Sequence, residues 1–167
     1  PGNSSQVTDG ACWLLLASEE AAEKMGVEPL GFIEDVEWAA LDPKRMGLGP
    51  VLSATPILKR ARMDLNDPDI WEINEAFAAQ VLACLAAWED EAFCRERLGL
   101  DGAMGRIDRD RLNVDGGAVS LGHPVGASGA RIVLHALYAL QRTGGKRGLA
   151  TECIGGGQGG AMLVSAA

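Results

Sequence analysis

The end of the chain constrains the fold most strongly, because two apolar segments there are joined by a run of glycines. The segments span residues 147–153 and 160–166, and glycine occupies four of the five positions 155–159. Two apolar segments separated by such a linker predict a β-hairpin. A helix predicted over 126–142, stopped by Gly144-Gly145, precedes it. Strand–helix units that end in a hairpin predict an α/β fold, a mixed β-sheet with helices on its faces.

The remaining segments fit this architecture. Hydrophobic periodicity and length predict strands at 10–17, 30–38 and 68–74, and helices at 50–62 and 76–88. Ser18 is placed to cap a further helix that ends at Gly26. Residues 89–112 are charged and interrupted by glycine, which predicts a surface excursion with a short helix at about 91–98.

Composition excludes several classes of protein. The formal net charge of −8 argues against a nucleic-acid-binding protein, because basic surface normally supplies that affinity. The four cysteines form no CxxC pair and no metal-ligand spacing, so we expect no metal site and no disulfide. No apolar run has transmembrane length, and no signal peptide is visible. The chain begins with Pro1 rather than Met, which we interpret as a cut in a longer protein.

His123 is the strongest candidate for chemistry. It stands between Gly122 and Pro124, just before the predicted helix 126–142. The positive end of that helix disfavours imidazolium, so we expect a neutral ring that can take a proton from a thiol or donate to an oxyanion. The motif alone is equally compatible with a loop histidine that only caps or packs.

Cys153 ends a predicted strand directly before the glycine turn. Consecutive glycines can aim N–H groups into a cavity and let a ligand approach the backbone. A buried strand cysteine without a function is the alternative for this residue alone. Combined with the turn and with His123, a thiol that exchanges a proton with substrate is favoured.

Asn74 lies where a predicted strand runs into a helix. An amide there can hold an active-site water, or it can simply cap the helix, and the sequence does not separate these. The glycines at 155–160 follow a strand but precede another strand, so they are not a dinucleotide-binding fingerprint. The other cysteines and His135 are assigned to core or surface.

Together, three blocks resemble the C-terminal signature motifs of thiolases. They are Asn74-Glu75-Ala76-Phe77-Ala78-Ala79-Gln80, Gly122-His123-Pro124 with Gly126-Ala127-Ser128-Gly129, and Cys153-Ile154-Gly155-Gly156-Gly157-Gln158-Gly159. The segments 1–11 and 46–50 match as well. The resemblance implies an acyltransferase of fatty acid metabolism and β-oxidation that exchanges an acyl group between coenzyme A and 3-ketoacyl-CoA, by thiolysis or Claisen condensation.

The resemblance also implies a domain organisation. Residues 1–29 match the last strand and helix of the family's N-terminal domain, and residues 30–167 match its C-terminal domain. The nucleophilic cysteine and most of the coenzyme A-binding region then lie outside this chain. We therefore expect the isolated chain to be inactive, and to need an N-terminal half or a partner subunit.

Residue roles follow from the matched motifs. The resemblance implies that His123 activates the absent cysteine and helps form one oxyanion hole, that Asn74 holds the water that completes it, and that Cys153 is the acid/base. The Gly155 N–H contributes to a second oxyanion hole. Ser5 matches a position that contacts coenzyme A, and Met46 and Phe77 match positions lining the acyl pocket.

The resemblance predicts coenzyme A as a substrate rather than a resident cofactor, a homo-oligomer, and no nucleic-acid or membrane partner. A reducing compartment, the bacterial cytoplasm, is the expected location, with mitochondria and peroxisomes left open. Asp115 departs from the family's usual Asn near the active-site entrance, where its charge either alters substrate preference or has no effect. The alternative to a catalytic half is a non-catalytic coenzyme A-binding or structural half-subunit.

Overall fold

The computed structural model describes residues 1–167. The helices are α1 (Glu19–Met25), α2 (Gly49–Ala61), α3 (Ala78–Glu89), α4 (Glu91–Leu98), α5 (Ala118–Leu121) and α6 (Ser128–Thr143), with short 3-10 helices at Pro43–Leu48 and Arg109–Arg111. The strands are β1 (Gly31–Ala40), β2 (Ile70–Ile73), β3 (Arg147–Ile154) and β4 (Gln158–Ala166).

The four strands form one mixed sheet in the order β1-β4-β3-β2. The hairpin β3–β4 is antiparallel, β1 pairs antiparallel with β4, and β2 pairs parallel with β3. The predicted mixed sheet is confirmed. The parallel pairing brings the ends of β2 and β3 to the same edge of the sheet, with Ile73 opposite Thr151.

Helices cover both faces of the sheet. On one face α2 and α3 pack against the sheet through a cluster of 17 buried residues, which includes Ile57, Leu58, Trp71, Trp88, Leu149 and Leu163. On the other face α6 packs through a smaller cluster of Ile70, Ala136, Leu137, Ala139, Leu140 and Val164. The alternation of side chains along each strand therefore divides the core into two layers.

The prediction of a buried strand at 10–17 is wrong. The segment has no regular structure, and Trp13, Leu15 and Leu16 are 88%, 79% and 71% exposed. A strand is stabilised by a hydrogen-bonded neighbour, and no backbone hydrogen bond joins this segment to the sheet. An apolar run alone does not supply that neighbour.

The other predicted elements are confirmed with shifted ends. Ser18 caps α1, accepting from the N–H of Ala21, and Gly26 closes it in the left-handed conformation. The short helix in the charged excursion is α4. The helix predicted from residue 76 begins at Ala78, after Phe77 in extended conformation. Asn74 is therefore not the cap of α3, which removes one of the two roles the sequence left open for it.

Candidate functional site

A contact between Asn74 and His123 forms the centre of the site. Asn74 Nδ2 lies 3.4 Å from His123 Nε2, although the residues are 49 positions apart. Asn74 directly follows β2, where its N–H donates to the carbonyl of Thr151 in β3 at 2.9 Å. The Asn74 side chain is only 2% exposed, and its Oδ1 has no protein donor. A buried carbonyl oxygen of this kind is suited to accept from a bound water.

The second nitrogen of the imidazole is also held. His123 Nδ1 lies 2.7 Å from Ser128 Oγ at the start of α6, and that hydroxyl is 3.2 Å from the carbonyl of Pro124. When the hydroxyl donates to Pro124, it accepts from Nδ1–H, which leaves Nε2 unprotonated. This series of hydrogen bonds thus favours the tautomer in which Nε2 carries no proton and can act as a base.

The environment keeps this imidazole neutral. Partial burial lowers the pKa of His123, and the nearby Arg131 guanidinium lowers it further. The direction agrees with the expectation from the sequence, which attributed it to the N-terminus of the helix. A neutral ring at physiological pH is available to accept a proton.

Cys153 lies on the strand next to Asn74, near the end of β3. Its side chain is 7% exposed, and its hydrogen-bonding register places it opposite Gly159 of β4. Burial raises the pKa of this thiol, and the neighbouring Glu152 carboxylate acts in the same direction. At neutral pH Cys153 is therefore protonated, and its thiol can give up the proton to a strong base.

The turn after Cys153 is built by glycines. Gly156 and Gly157 have φ values of 87° and 85°, which other residues rarely adopt. The carbonyl of Gly157 accepts from the N–H of Leu41, which fixes the turn to the end of β1. Gly155 is exposed at the tip, and its N–H makes no hydrogen bond within the chain, so it is free to donate to a ligand.

The first residues of the chain lie against the site. The N–H of Ser5 donates to the carbonyl of Ala76 at 3.0 Å, and Val7 forms a β-bridge with His123. Phe77 is bridged to Ser4 and is 48% exposed. Ser5 and Phe77 are therefore brought to the same region as Asn74 and His123.

Met46 lies before α2, in a turn that packs against α3. It is half-buried in the 3-10 helix, and the carbonyl of its neighbour Gly47 accepts from Cys84 Sγ at 3.2 Å. No hydrogen bond or β-bridge joins this turn to Asn74 or His123. The 3-10 helix that carries Met46 reaches the glycine turn through Pro43, which packs against Gly157, and through Gly49, which packs against Gly159.

Sequence reasoning missed two residues that hold His123. Ser128 binds the ring, although it was matched only as part of a motif and given no role of its own. Thr8 Oγ1 accepts from the N–H of His123 at 3.2 Å. A serine five positions after a histidine at a helix start was a usable signal for the first, whereas Thr8 is 115 positions away and carried none.

His135 and Asp115 belong to an ion-pair network rather than to this site. His135 Nδ1 lies 2.9 Å from Oε1 of the buried Glu72, and its Nε2 lies 2.7 Å from Asp115 Oδ2. Arg142 also pairs with Asp115. The charge that departs from the family pattern is thus neutralised on the surface of α6.

Two general features are absent. None of the helices is both long and apolar enough to cross a membrane. No three His, Cys, Asp or Glu side chains gather where a metal ion could bind.

Comparison of the sequence with known proteins identifies a matching family and several relatives. The family model described as "Thiolase, C-terminal domain" matches residues 27–166. The chain is 44% identical over 163 residues to a 3-ketoacyl-CoA thiolase of Shewanella loihica, covering 97% of the chain and 37% of that protein. A beta-ketoadipyl-CoA thiolase of Pseudomonas aeruginosa is also 44% identical, with 98% and 37% covered.

Solved structures give the same result. The Bacillus anthracis acetyl-CoA acetyltransferase superposes with a TM-score of 0.83 at 40% identity, covering 99% of this chain and 38% of that one. The human mitochondrial 3-ketoacyl-CoA thiolase in complex with CoA superposes with a TM-score of 0.79 at 38% identity, with the same coverage. The chain thus spans little more than a third of the length of these relatives.

Proposed function

The chain belongs to the thiolase family, and we propose that it supplies the acid–base half of a thiolase active site. The reaction is acyl transfer between coenzyme A and a 3-ketoacyl-CoA. The observation that carries this proposal is the paired anchoring of one imidazole, with Asn74 at Nε2 and Ser128 at Nδ1. A histidine that only packs in a loop does not require both ring nitrogens to be directed in this way.

His123 is the base that activates the nucleophile. In thiolysis its Nε2 takes the proton of a cysteine thiol that a different part of the enzyme supplies. The resulting thiolate attacks the C3 carbonyl of the substrate, and negative charge develops on its oxygen. The new Nε2–H, together with a water held by Asn74 Oδ1, donates to an oxyanion in this site, where fixed donors lower the barrier most.

Cys153 manages the proton at carbon. When the C2–C3 bond breaks, the electron pair stays on C2 as the enolate of acetyl-CoA, and the Cys153 thiol protonates it. The N–H of Gly155 contributes to the second oxyanion hole. The Cys153 thiolate then takes the proton from incoming coenzyme A, whose sulfur attacks the acyl-cysteine. The shortened acyl-CoA leaves, and the expelled cysteine thiolate recovers its proton from His123 Nε2–H. A raised thiol pKa suits the first of these steps, because the thiol must be protonated before it acts.

An exposed apolar surface next to the site supports a need for further protein. Leu121 and Val125, on either side of His123 in sequence, are 57% and 79% exposed. Large exposed apolar side chains of this kind are typical of a face that another protein segment covers. We infer that the missing part of the thiolase covers it.

Coenzyme A acts as a substrate that Ser5 contacts. Met46 and Phe77 contribute to the acyl pocket. A homo-oligomer and a cytoplasmic location remain predictions. The alternative, a non-catalytic coenzyme A-binding or structural half, predicts that site substitutions leave the assembled enzyme's activity unchanged.

The test is thiolysis of acetoacetyl-CoA by the chain alone and after mixing with the N-terminal half of a 3-ketoacyl-CoA thiolase, such as that of Shewanella loihica. We expect activity only in the mixture. His123→Ala and Cys153→Ala are expected to abolish it, while Cys12→Ala, which removes a thiol from the unstructured segment 10–17, leaves it intact.

Two outcomes contradict the proposal. Turnover by the chain alone makes a cysteine within it the nucleophile, so the assigned roles are wrong. No turnover in the mixture, although gel filtration shows a stable pair of folded halves, favours the structural or binding alternative.

A further inference from the structure

Two polar side chains join the segment that carries Asn74 to the segment that carries His123. Asn113 Nδ2 donates to Glu75 Oε1 and to the carbonyl of Ile73, both at 2.9 Å. Asn113 Oδ1 accepts from the N–H of Ile73, also at 2.9 Å. This set of bonds, the Asn113–Glu75 clasp, therefore holds the residues on both sides of Asn74.

The Glu75 carboxylate extends the clasp to the histidine. Its Oε2 accepts from the N–H of Val119 at 3.1 Å, in the first turn of α5. The N-cap residue of α5 is Gly117, which has no side chain that could cap the helix. A Cβ on Gly117 would lie 2.7 Å from Glu75 Oε1, so the close approach requires glycine. The clasp therefore joins the residue after Asn74 to α5, which ends at Leu121, two residues before His123.

The backbone at Asn113 is in the left-handed conformation, which Gly, Asn and Asp adopt more readily than other residues. Its φ is 47°, and Arg62 is the only other non-glycine residue with a positive φ. Its N–H donates to the carbonyl of Trp71 at 2.8 Å, next to a β-bridge between Trp71 and Leu112. These contacts fix the conformation of Asn113, which an asparagine adopts more readily than most other non-glycine residues.

We propose that Asn113 and Glu75 are positioning residues for the thiolase reaction. They act through Asn74 and His123, by keeping the amide and the imidazole in contact, and they touch no substrate. This inference rests on the proposed function for its catalytic consequence. Its structural part, that the clasp sets the environment of His123, stands without it.

The first test is Asn113→Asp. This substitution preserves the shape of the side chain and tolerates positive φ, but it replaces the donor with an oxygen that repels Glu75. In the assembled enzyme we expect kcat for acetoacetyl-CoA thiolysis to fall about 10- to 100-fold with KM within about twofold, which is typical of lost support behind a catalytic group. The pKa of His123 is expected to rise toward the ordinary histidine value as the ring loosens.

The second test is a reversal of polarity. In the double variant Asn113→Asp with Glu75→Gln, the glutamine amide donates to the introduced carboxylate, while its oxygen still accepts from Val119. The net charge equals that of the wild type, so an effect of charge alone on His123 is removed. We expect kcat at least fivefold above that of Asn113→Asp, and a His123 pKa nearer to the wild-type value.

Asn66→Asp is the matched control. Asn66 also bonds through both side-chain atoms, to the Arg106 carbonyl and the Asp108 N–H, and makes no hydrogen bond to Asn74, Glu75 or His123. Should Asn113→Asp fail to fold, Asn113→Gly removes the same bonds and accepts the φ of 47° without strain. The chain has only two histidines, so NMR titration of the isolated chain resolves His123 from His135 directly.

The outcomes test the structural part of the inference and its catalytic consequence separately. An unchanged His123 titration and kcat within twofold in the folded Asn113 variants overturn the clasp. A double variant no better than Asn113→Asp also overturns it, because the two residues are then not coupled. If the wild-type mixture has no thiolase activity, the proposed function fails, while the NMR titration still decides whether the clasp positions His123.

Discussion

A methyl group at Gly159 is expected to destabilise the fold where α2 crosses the hairpin. Gly159 is buried in β4, and an added Cβ would lie 2.6 Å from the Cα of Gly49, well inside ordinary van der Waals contact. Because the obstructing atoms are backbone, no side-chain rotation relieves the overlap. Gly159 does not have a positive φ, so the cost of Gly159→Ala is steric and not conformational.

The magnitude follows from how firmly α2 is held. Removing the overlap requires a displacement of about 1 Å, and the next residues of α2 include Val51 and Ala54, each 0% exposed. Overpacking of this kind costs about 1–3 kcal/mol, and two backbone partners place it near the upper end. For a domain of this size, about 2–3 kcal/mol corresponds to a fall in Tm of about 4–12 °C.

The assay is urea and thermal unfolding of the chain, followed by far-UV circular dichroism and tryptophan fluorescence. Gly126→Ala is the control, because nothing lies within 4 Å of its added methyl and its φ is not positive. We expect the control to be unchanged or slightly stabilised. A free energy of unfolding for Gly159→Ala within about 0.5 kcal/mol of wild type, at equal m-value, refutes the reasoning.

Three further predictions concern stability. Glu72 and Asp115 together raise the pKa of His135. The stability that its proton contributes is therefore complete below the unfolded pKa of about 6.5 and is lost as pH rises through the raised folded-state pKa. Tm measured from pH 5.5 to 9 should fall less steeply with pH in His135→Gln than in the wild type. Trp88→Phe removes a hydrogen bond of 3.1 Å to Thr55 Oγ1 and leaves a cavity, and chemical unfolding should show a loss of about 1–3 kcal/mol. Arg60→Ala breaks two ion pairs that the half-exposed Arg60 makes with carboxylates of β1. Because solvent screens these ion pairs, chemical unfolding should show a loss of stability below about 1 kcal/mol.

Local patterns were enough for most of the secondary structure. The serine cap and closing glycine defined α1, and the glycines at 155–159 defined the hairpin, because both signals depend on the conformation of a few consecutive residues. The apolar run at 10–17 was misassigned since a strand depends on a partner distant in sequence. Nothing within the run indicates whether such a partner is present.

For the site, the motifs identified His123, Cys153 and Asn74 as candidates, because side-chain chemistry and adjacent glycines are visible in the sequence. The sequence left Asn74 undecided between a helix cap and a polar group of the site. The structure decided against the cap, because extended backbone at Phe77 delays the start of α3 and the amide lies against His123 instead.

By itself, then, the sequence determined which segments become most of the helices and which become the hairpin, and which residues are candidates for acid–base chemistry. Only the tertiary structure decided their partners: Ser128 and Asn74 on the two nitrogens of one ring, Asn113 on the strand that carries Asn74, and His135 between two carboxylates. These contacts depend on the parallel pairing of β2 with β3 and on the packing of α6 across them. Such long-range pairings arise from the folded chain as a whole, and a local pattern of residues does not encode them.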